Sequence, residues 1–279
     1  MPDYDMESYR TAELAGYQAV AADYDRWLAR ATGQFAEPLL DLLDPHPGHR
    51  LLDAACGPGV LTLRALPRVR PGGQCLGVDF SDRMIQLART NAAGVRDARF
   101  EVMDVERLAL PEGAFDAAVC GFGLMHFPDA AAALASLHRV LKPGGRLALS
   151  VWAPLERVGF MALMLTTVKE VAPTAGFPPG PAMFGFGTEA ALAPLLHHAG
   201  FRDPEFREVA VDLTFPSFDA YWNALVLGAA RLGGVVRALP EAARDELVMR
   251  LKAATAARTG PAGLALTGSA FMASARRPD

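Results

Sequence analysis

A short turn between a predicted strand and a predicted helix, Asp53-Ala-Ala-Cys56-Gly57-Pro58-Gly59, has the composition of a ligand-binding turn. Its glycines permit a tight bend and a close approach of the backbone to a ligand. Asp79 follows about twenty residues later, where dinucleotide-binding folds place the carboxylate that binds ribose hydroxyls. Asp104 ends the next apolar run, where it can accept a hydrogen bond from an adenine amino group or cap a helix. These residues predict a nucleoside-binding site.

The position of Asp53 distinguishes between the nucleosides that such a site could bind. It lies where a dinucleotide would place its pyrophosphate, and a carboxylate there repels phosphate and favours a cation. S-adenosylmethionine has ribose and adenine, no phosphate, and carries an ammonium and a sulfonium. The turn also lacks the third glycine of G-x-G-x-x-G, because Thr62 holds that place. A NAD-dependent oxidoreductase remains an alternative that both features disfavour.

The pattern around these acids predicts the sheet that brings them together. Short apolar runs bounded by Gly, Pro or Asp are typical of buried strands. They cover residues 51–55, 74–80, 98–105, 115–123 and 146–152. Ser81 can cap a helix over 82–93, and Asp129 can cap one over 130–141. We therefore predict an α/β fold with a doubly wound, Rossmann-like sheet that is mostly parallel and has an antiparallel last strand.

The remaining segments are predicted to belong to the same single domain, 1–279. Residues 8–43 are predicted to be helical, 153–187 to include a long irregular loop, and 188–199 to be helical. We predict a strand over 206–215, helices over 217–258 and a last strand over 264–275. The expected parts are an N-terminal helical lid (1–48), a cofactor-binding core (49–152), cap insertions on the substrate side (153–187 and 217–260) and the rest of the sheet layer (188–216 and 261–279).

Composition argues against several other classes of protein. The formal net charge of −4 disfavours a nucleic-acid binder, and three scattered cysteines disfavour a disulfide framework or thiolate metal site. The adjacent His197 and His198 diverge on a helix, and no HExxH spacing occurs, so no metal is expected. The acidic, polar start is unlike a signal peptide, and no apolar stretch reaches membrane-spanning length. We expect a cytoplasmic protein without a membrane span; monomer and homodimer both stay open.

Four segments carry a resemblance to a known family. DAACGPG, GVDFSDRMIQLAR, FDAAVCGFGLMHFPD and HRVLKPGGRLALS resemble the motifs of class I S-adenosylmethionine-dependent methyltransferases. They are most similar to the ubiquinone and menaquinone biosynthesis subgroup, over roughly residues 50–152. Ala55 departs from the pattern, because the family often has glycine there. The resemblance implies S-adenosylmethionine as cofactor, S-adenosylhomocysteine as product, and methyl transfer as the activity.

The resemblance also implies roles for individual residues around the cofactor. The implied cofactor-binding set is Asp53, Ala54, Gly57 and Gly59 near the methionine end, Asp79 and Phe80 at the ribose, Met84, Asp104 and Val105 at the adenine, and Gly121 and Phe122 beside the methyl group. The family closes its N-terminal helices over the cofactor, which makes Tyr17, Tyr24 and Trp27 candidates for contact or for core packing.

Methyl transfer to a hydroxyl or acidic carbon needs a proton acceptor, and His126 is the histidine nearest the expected methyl site. A hydrogen-bonding or packing role for His126 stays open. Concentrated apolar side chains favour a small hydrophobic or aromatic acceptor, although they could also form the core of a helical cap. The predicted substrate residues are Tyr17, Tyr24, Met125, Phe160, Met164, Phe184 and Trp222. We expect O- or C-methylation rather than N-methylation; a protein that binds S-adenosylmethionine without methylating, such as a cyclisation catalyst, is the alternative.

Overall fold

The computed structural model describes residues 4–279; the first three residues of the predicted lid 1–48 lie outside the described residues. Strands and helices alternate through the centre of the chain. The strands are β1 (Arg50–Ala54), β2 (Gln74–Asp79), β3 (Ala98–Val102), β4 (Phe115–Gly121), β5 (Leu141–Trp152), β6 (Arg202–Phe215), β7 (Thr259–Gly260) and β8 (Gly263–Arg276). The helices are α1 (Met6–Asp23), α2 (Ala29–Thr32), α3 (Ala36–Leu43), α4 (Val60–Val69), α5 (Asp82–Asn91), α6 (Ala130–Val140), α7 (Gly159–Val171), α8 (Glu189–His198), α9 (Phe218–Val226), α10 (Ala230–Arg237) and α11 (Glu241–Thr255).

The sheet has the order β3-β2-β1-β4-β5-β8-β6, with β7 paired to β8. Strands β1 to β5 pair in parallel, whereas β8 lies antiparallel between β5 and β6. The predicted α/β sheet, mostly parallel with an antiparallel last strand, is confirmed. The strand order reverses between β1 and β4, and in open α/β sheets ligands bind at the carboxyl ends of the strands at this point.

The N-terminal helices form one nearly continuous helical segment, as the periodicity over 8–43 predicts. Asp5 caps α1 by accepting a hydrogen bond from the Ser8 amide at 2.6 Å. A π-helical turn over Tyr24–Leu28 joins α1 to α2, and a 3-10 turn over Gly33–Phe35 leads into α3. The Phe35 side chain and most of α3 are buried against the sheet. The segment therefore joins the main core and carries α1 over the edge where the strands end.

The later chain contains the predicted irregular loop within 153–187, which follows Val171. The same segment also contains α7, where Phe160, Met164 and Val168 recur every four residues and are all buried. In α6 the His138 ring packs against Phe201 with the centroids 5.1 Å apart. Residues 4–279 contain no helix that is both long enough and apolar enough to cross a bilayer.

Candidate functional site

A cavity lies where the parallel strands end, beneath α1. A second cavity adjoins it and contains Asp53 in its wall. The predicted site residues that line the first cavity are Tyr17, Tyr24, Gly57, Asp79, Phe80, Met84, Asp104, Val105, Gly121, Phe122 and His126. The fold therefore gathers most of the predicted cofactor set, together with two of the predicted tyrosines and the predicted base, around one space.

The Asp53 carboxylate is buried, yet one of its oxygens is left without a partner. The Thr62 hydroxyl donates to Oδ2 at 2.6 Å, while Oδ1 has no hydrogen-bond partner within residues 4–279. Burial raises the pKa of Asp53 to about 7. A buried acceptor without a donor is costly, and an ammonium group at this point would supply both a donor and a positive charge. The chemistry of Asp53 thus fits the cationic end of S-adenosylmethionine.

Asp79 is held in position by the backbone of two neighbouring turns. The Gly57 amide donates to Oδ2 and the Ser81 amide to Oδ1, each at 2.9 Å. Burial raises the pKa of Asp79 to about 6, and these amide hydrogen bonds oppose the rise. A carboxylate oxygen has two lone pairs, so both oxygens can still accept from a vicinal diol. This geometry fits a ribose contact.

Asp104 takes part in a charged network that sequence reasoning missed. Its Oδ1 accepts from the Glu106 amide at 3.0 Å, which caps a 3-10 turn, and its Oδ2 accepts from Arg10 Nη1 at 2.8 Å. Arg10 also pairs with Glu106, whose carboxylate accepts from the Asp129 amide at 2.7 Å. Burial raises the pKa of Glu106. The network attaches α1 to the loops that follow β3 and β4.

A second missed residue, Glu13, contacts the predicted base. Glu13 Oε2 lies 3.0 Å from His126 Nδ1, and the Tyr17 hydroxyl lies 3.0 Å from His126 Nε2. Burial and the Glu13 charge raise the pKa of Tyr17 well above its ordinary value, so its phenol stays protonated. Glu13 and Tyr17 are four residues apart and share a face of α1. That spacing was the available signal, but nothing near it in the sequence indicated a histidine partner.

Several predicted site residues lie outside the lining of both cavities, and their roles stay predictions. Ala54 and Met125 are fully buried, and Gly59 packs its backbone against the Phe100 ring, which a Cβ would meet at 2.9 Å. The others outside both linings are Trp27, Phe160, Met164, Phe184 and Trp222. Phe160 and Met164 are buried in the core beneath α7, and Trp222 stacks on Phe218. Burial of apolar surface is enough to explain Phe160 and Met164.

Two residues beside the cavity have a left-handed backbone although neither is glycine. Ala55 has φ 57° and Phe122 has φ 55°. This conformation costs roughly 1–2 kcal/mol for residues with a Cβ. The Phe122 amide donates to the Ser150 carbonyl at 2.9 Å, which secures the bend after β4. Non-glycine residues in such conformations cluster at functional sites, and here both line the first cavity.

Within the described residues, 4–279, no group of three or more His, Cys, Asp or Glu side chains is arranged to hold a metal ion. The cysteine thiols at 56, 75 and 120 are buried, and burial raises their pKa. Thiols in such surroundings are poor nucleophiles.

Comparison with known proteins identifies the family. A family model described as "Methyltransferase domain" matches residues 51–145. Nocamycin O-methyltransferase of Saccharothrix syringae is 35% identical over 222 residues, which is 74% of this chain and 76% of that protein. Demethylmenaquinone methyltransferase of Thermus thermophilus is 36% identical over 152 residues, 54% of this chain and 65% of that one.

Among solved structures, the YcgJ protein of Bacillus subtilis superposes with a TM-score of 0.59 at 19% identity, covering 88% of this chain and 99% of that one. That identity supports the fold alone, whereas the curated relatives support the family. This chain therefore belongs to the class I S-adenosylmethionine-dependent methyltransferases, and within that family it is of the type that methylates small molecules.

Proposed function

We propose that this enzyme transfers a methyl group from S-adenosylmethionine to a hydroxyl oxygen of a hydrophobic or aromatic small molecule. The proposal rests on the two contacts of the His126 ring. One ring nitrogen contacts the buried Glu13 carboxylate, and the other contacts the Tyr17 hydroxyl. The similarity of this chain to Nocamycin O-methyltransferase, which is 35% identical over 222 residues, supports the choice of oxygen.

In this proposal the cofactor is held by side chains that already have the appropriate chemistry. The unpartnered Oδ1 of Asp53 accepts from the ammonium group, and the two oxygens of Asp79 accept from the ribose diol. Met84 and Val105 supply apolar surface for the adenine. When bound, S-adenosylmethionine supplies an electrophilic methyl group on a sulfonium cation. Gly121 and Phe122 border the space beside it.

The proton of the acceptor hydroxyl needs a path away from the reacting oxygen. We assign that path to Tyr17 and His126: the acceptor hydroxyl donates to the Tyr17 oxygen, and the Tyr17 proton passes to Nε2 of His126 across 3.0 Å. Glu13 accepts a hydrogen bond from Nδ1, which fixes the ring tautomer and stabilises the imidazolium that forms. Alignment of the acceptor oxygen beneath α1 supplies much of the remaining rate enhancement.

The direct test replaces the base and measures methyl transfer. A panel of phenols and hydroxynaphthoquinones is incubated with enzyme and S-adenosylmethionine, and products are identified by mass spectrometry, with NMR to separate methyl ethers from C-methyl products. We expect His126→Gln to lower the turnover of any active acceptor by about 10²–10⁴-fold. S-adenosylhomocysteine should bind the variant with nearly unchanged affinity.

His138→Gln is the matched control, because His138 packs on Phe201 away from both cavities and should keep full turnover. Full turnover in His126→Gln would remove the base. Carbon-methylated products would show that the acceptor atom is not oxygen. Tight cofactor binding with conversion of an acceptor that gains no methyl group would favour a cyclisation catalyst instead.

A further inference from the structure

A third cavity, partly open to solvent, lies against a neighbouring face of α1. Its walls are α1, the segment 176–179 and α10. Glu13 lines both this cavity and the one that contains His126, so the side chain of Glu13 marks the boundary between them. None of the roles proposed above uses this space. We call it the α10 cavity.

Small residues leave space for the α10 cavity where α1 and α10 meet. Ala230 and Gly234 on α10 and Ala238 just after it recur every four residues, and Ala12 and Gly16 line the same cavity from α1. A Cβ added at Gly16 would meet Ala230 at 3.2 Å, whereas one added at Gly234 would meet nothing within 4 Å. The helices are therefore close at one end of the cavity and leave open space at Gly234.

A buried hydroxyl in the wall of the α10 cavity has no partner. Tyr9 is 6% exposed, and no acceptor within residues 4–279 lies in hydrogen-bonding geometry with its hydroxyl. Burial raises the pKa of Tyr9, and the nearby Glu13 charge adds to the rise, so the hydroxyl stays a donor. An unpaired buried donor destabilises a protein unless a ligand accepts from it.

A buried cation lies beside that hydroxyl. The Arg231 side chain is 7% exposed, and its guanidinium lies over the Tyr9 ring at 5.5 Å and over the Phe177 ring at 5.3 Å. Its Nη1 donates to the Pro181 carbonyl at 2.9 Å. Its Nε is 3.8 Å from Glu13 Oε1, which is too long for a hydrogen bond. The ion pair is therefore loose.

The charges favour an anionic ligand group at this point. Glu13 faces Arg231 with one oxygen and His126 with the other. Because Glu13 Oε2 contacts His126 and Arg231 pairs with Glu13 only loosely, Arg231 keeps N–H donors that an anion can use. Donors from Tyr9 and Arg231 suit a carboxylate, and the aromatic rings around the guanidinium suit a flat apolar body.

We propose that the α10 cavity binds the distal end of the methyl acceptor, and that the acceptor class is a hydroxy-aromatic carboxylic acid. This inference rests on the proposed function. The acceptor extends past Glu13, with its hydroxyl towards Tyr17 and its carboxylate on Tyr9 and Arg231. The two ends of the molecule are thus recognised by different faces of α1.

The probe pair 6-hydroxy-2-naphthoate and 2-naphthol tests this arrangement, because the two differ only by a carboxylate remote from the hydroxyl. Binding to enzyme saturated with S-adenosylhomocysteine is measured by calorimetry. We expect the naphthoate to bind at least about ten-fold more tightly than the naphthol, as for hydrogen bonds to a charged group. Arg231→Gln should weaken naphthoate binding by about ten- to a hundred-fold and leave naphthol binding nearly unchanged.

Gly234→Leu provides a variant that keeps the fold, because it places a helix-favouring side chain into open space. It should abolish naphthoate binding without changing the affinity for S-adenosylhomocysteine. Naphthoate binding at wild-type affinity in Gly234→Leu, equal binding of the two probes, or no naphthoate binding to the wild-type enzyme would each overturn the proposal.

A stability measurement tests the unpaired hydroxyl without any ligand. Tyr9→Phe should raise the thermal midpoint of the ligand-free protein, because it removes a buried donor that has no partner. The matched control is Tyr221→Phe, which should lower the midpoint, since the Tyr221 hydroxyl donates to the Phe160 carbonyl at 2.8 Å. A lower midpoint in Tyr9→Phe would show that the hydroxyl is satisfied within the protein, against the proposal.

The two proposals fail in different ways. If S-adenosylhomocysteine does not bind the wild-type enzyme, the proposed function falls. If it binds and the naphthoate is methylated on oxygen, but Arg231→Gln and Gly234→Leu leave naphthoate affinity unchanged, only the assignment of the α10 cavity falls.

Discussion

Asp53 is a buried carboxylate, and within the described residues one of its oxygens has no hydrogen-bond partner. Asp53 has lost the solvation that would favour its charge, and Thr62 supplies only one hydrogen bond. Its pKa is accordingly raised from 3.8 to about 7. In the ligand-free protein the protonated form contributes stability that is fully present below pH 3.8 and is lost as the pH rises through about 7. A cationic ligand favours the opposite, ionised form.

We predict that the affinity for S-adenosylmethionine rises with pH up to about 7 and then levels off. Binding requires ionised Asp53, so below its pKa of about 7 each pH unit should cost up to about ten-fold in affinity. Asp79, with a pKa of about 6, adds to the slope at lower pH. Calorimetry between pH 5.5 and 8 measures this dependence. The Asp53→Asn variant should bind S-adenosylmethionine more weakly at pH 8, and its affinity should no longer rise between pH 6 and 7. A wild-type affinity that does not change with pH would contradict the role of Asp53.

Ala55 has the left-handed backbone in which glycine carries no Cβ penalty. We predict that Ala55→Gly stabilises the protein by about 0.5–1 kcal/mol, because relief of roughly 1–2 kcal/mol of backbone strain exceeds the roughly 0.5–1 kcal/mol of entropy that glycine adds to the unfolded chain. The thermal midpoint should rise by about 1–4 °C. Ala54→Gly is the control, since Ala54 is a buried strand residue with ordinary φ, and its midpoint should fall. An unchanged or lower midpoint for Ala55→Gly would mean that the bend at 55 carries no strain.

Helix α1 covers the first cavity, which Arg10, Glu13 and Tyr17 help to line. It presents Arg10, Glu13 and Tyr17 on one face, and each contacts a residue that follows a strand of the parallel sheet. Side chains three and four residues apart share a helix face. The Arg10 guanidinium, the Glu13 carboxylate and the Tyr17 phenol therefore all lie on the face of α1 that is turned to the first cavity. Its position over the site therefore depends on a small number of polar contacts.

We predict that Arg10→Gln loosens α1 without unfolding the core. The substitution removes the ion pairs to Asp104 and Glu106 and leaves the Glu106 carboxylate, which is 2% exposed, without its cation. Because Arg10 is itself partly exposed, we expect a loss of about 1–2 kcal/mol in the local stability of α1. Hydrogen exchange of the α1 amides should speed up about ten-fold, and S-adenosylhomocysteine should bind more weakly.

Arg30→Gln is the control for Arg10→Gln, because Arg30 is an exposed arginine in the same helical segment. It should leave both exchange and affinity unchanged. If Arg10→Gln exchanged at the wild-type rate, α1 would have to be held by its apolar contacts alone.

The end of the chain completes the interior of the sheet. β8 pairs with β5 along one edge and with β6 along the other, so the last strand is a central one. Its residues Ala270, Met272 and Ala273 are fully or almost fully buried. Without β8, both β5 and β6 would expose an unpaired strand edge, which is prone to aggregation.

We predict that a chain ending at Ala262 does not fold cooperatively. Loss of β8 removes its antiparallel ladders with β5, β6 and β7 and exposes the core that it covers. Near-ultraviolet circular dichroism and a thermal melt should show no native transition. A chain ending at Arg277, which lacks only Pro278 and Asp279, should melt like the full-length protein. A cooperative melt of the shorter chain would mean that β1 to β5 form an independent folding unit.

The parallel half of the sheet, with the turn and the acids at its strand ends, could be predicted from the sequence because its signals are local. The turn after β1 and the acids after β2 and β3 follow their strands directly, and parallel strands with crossover helices must end at the same sheet edge. Apolar side chains gave a weaker guide to the substrate side. Burial stabilises a core residue and a pocket residue by the same transfer of apolar surface, so Phe160 and Met164 could not be separated from pocket residues before their packing was known.

The sequence by itself determined the fold, the family and the carboxylates suited to a cationic nucleoside, because short segments encode the turns and strand ends that position them. Only the tertiary structure decided which polar groups face those carboxylates. Glu13 and His126 are 113 residues apart in the sequence, and Arg10 and Asp104 are 94 apart. Such pairs leave no periodic pattern, since each partner is positioned by a different element and their distance depends on how those elements pack.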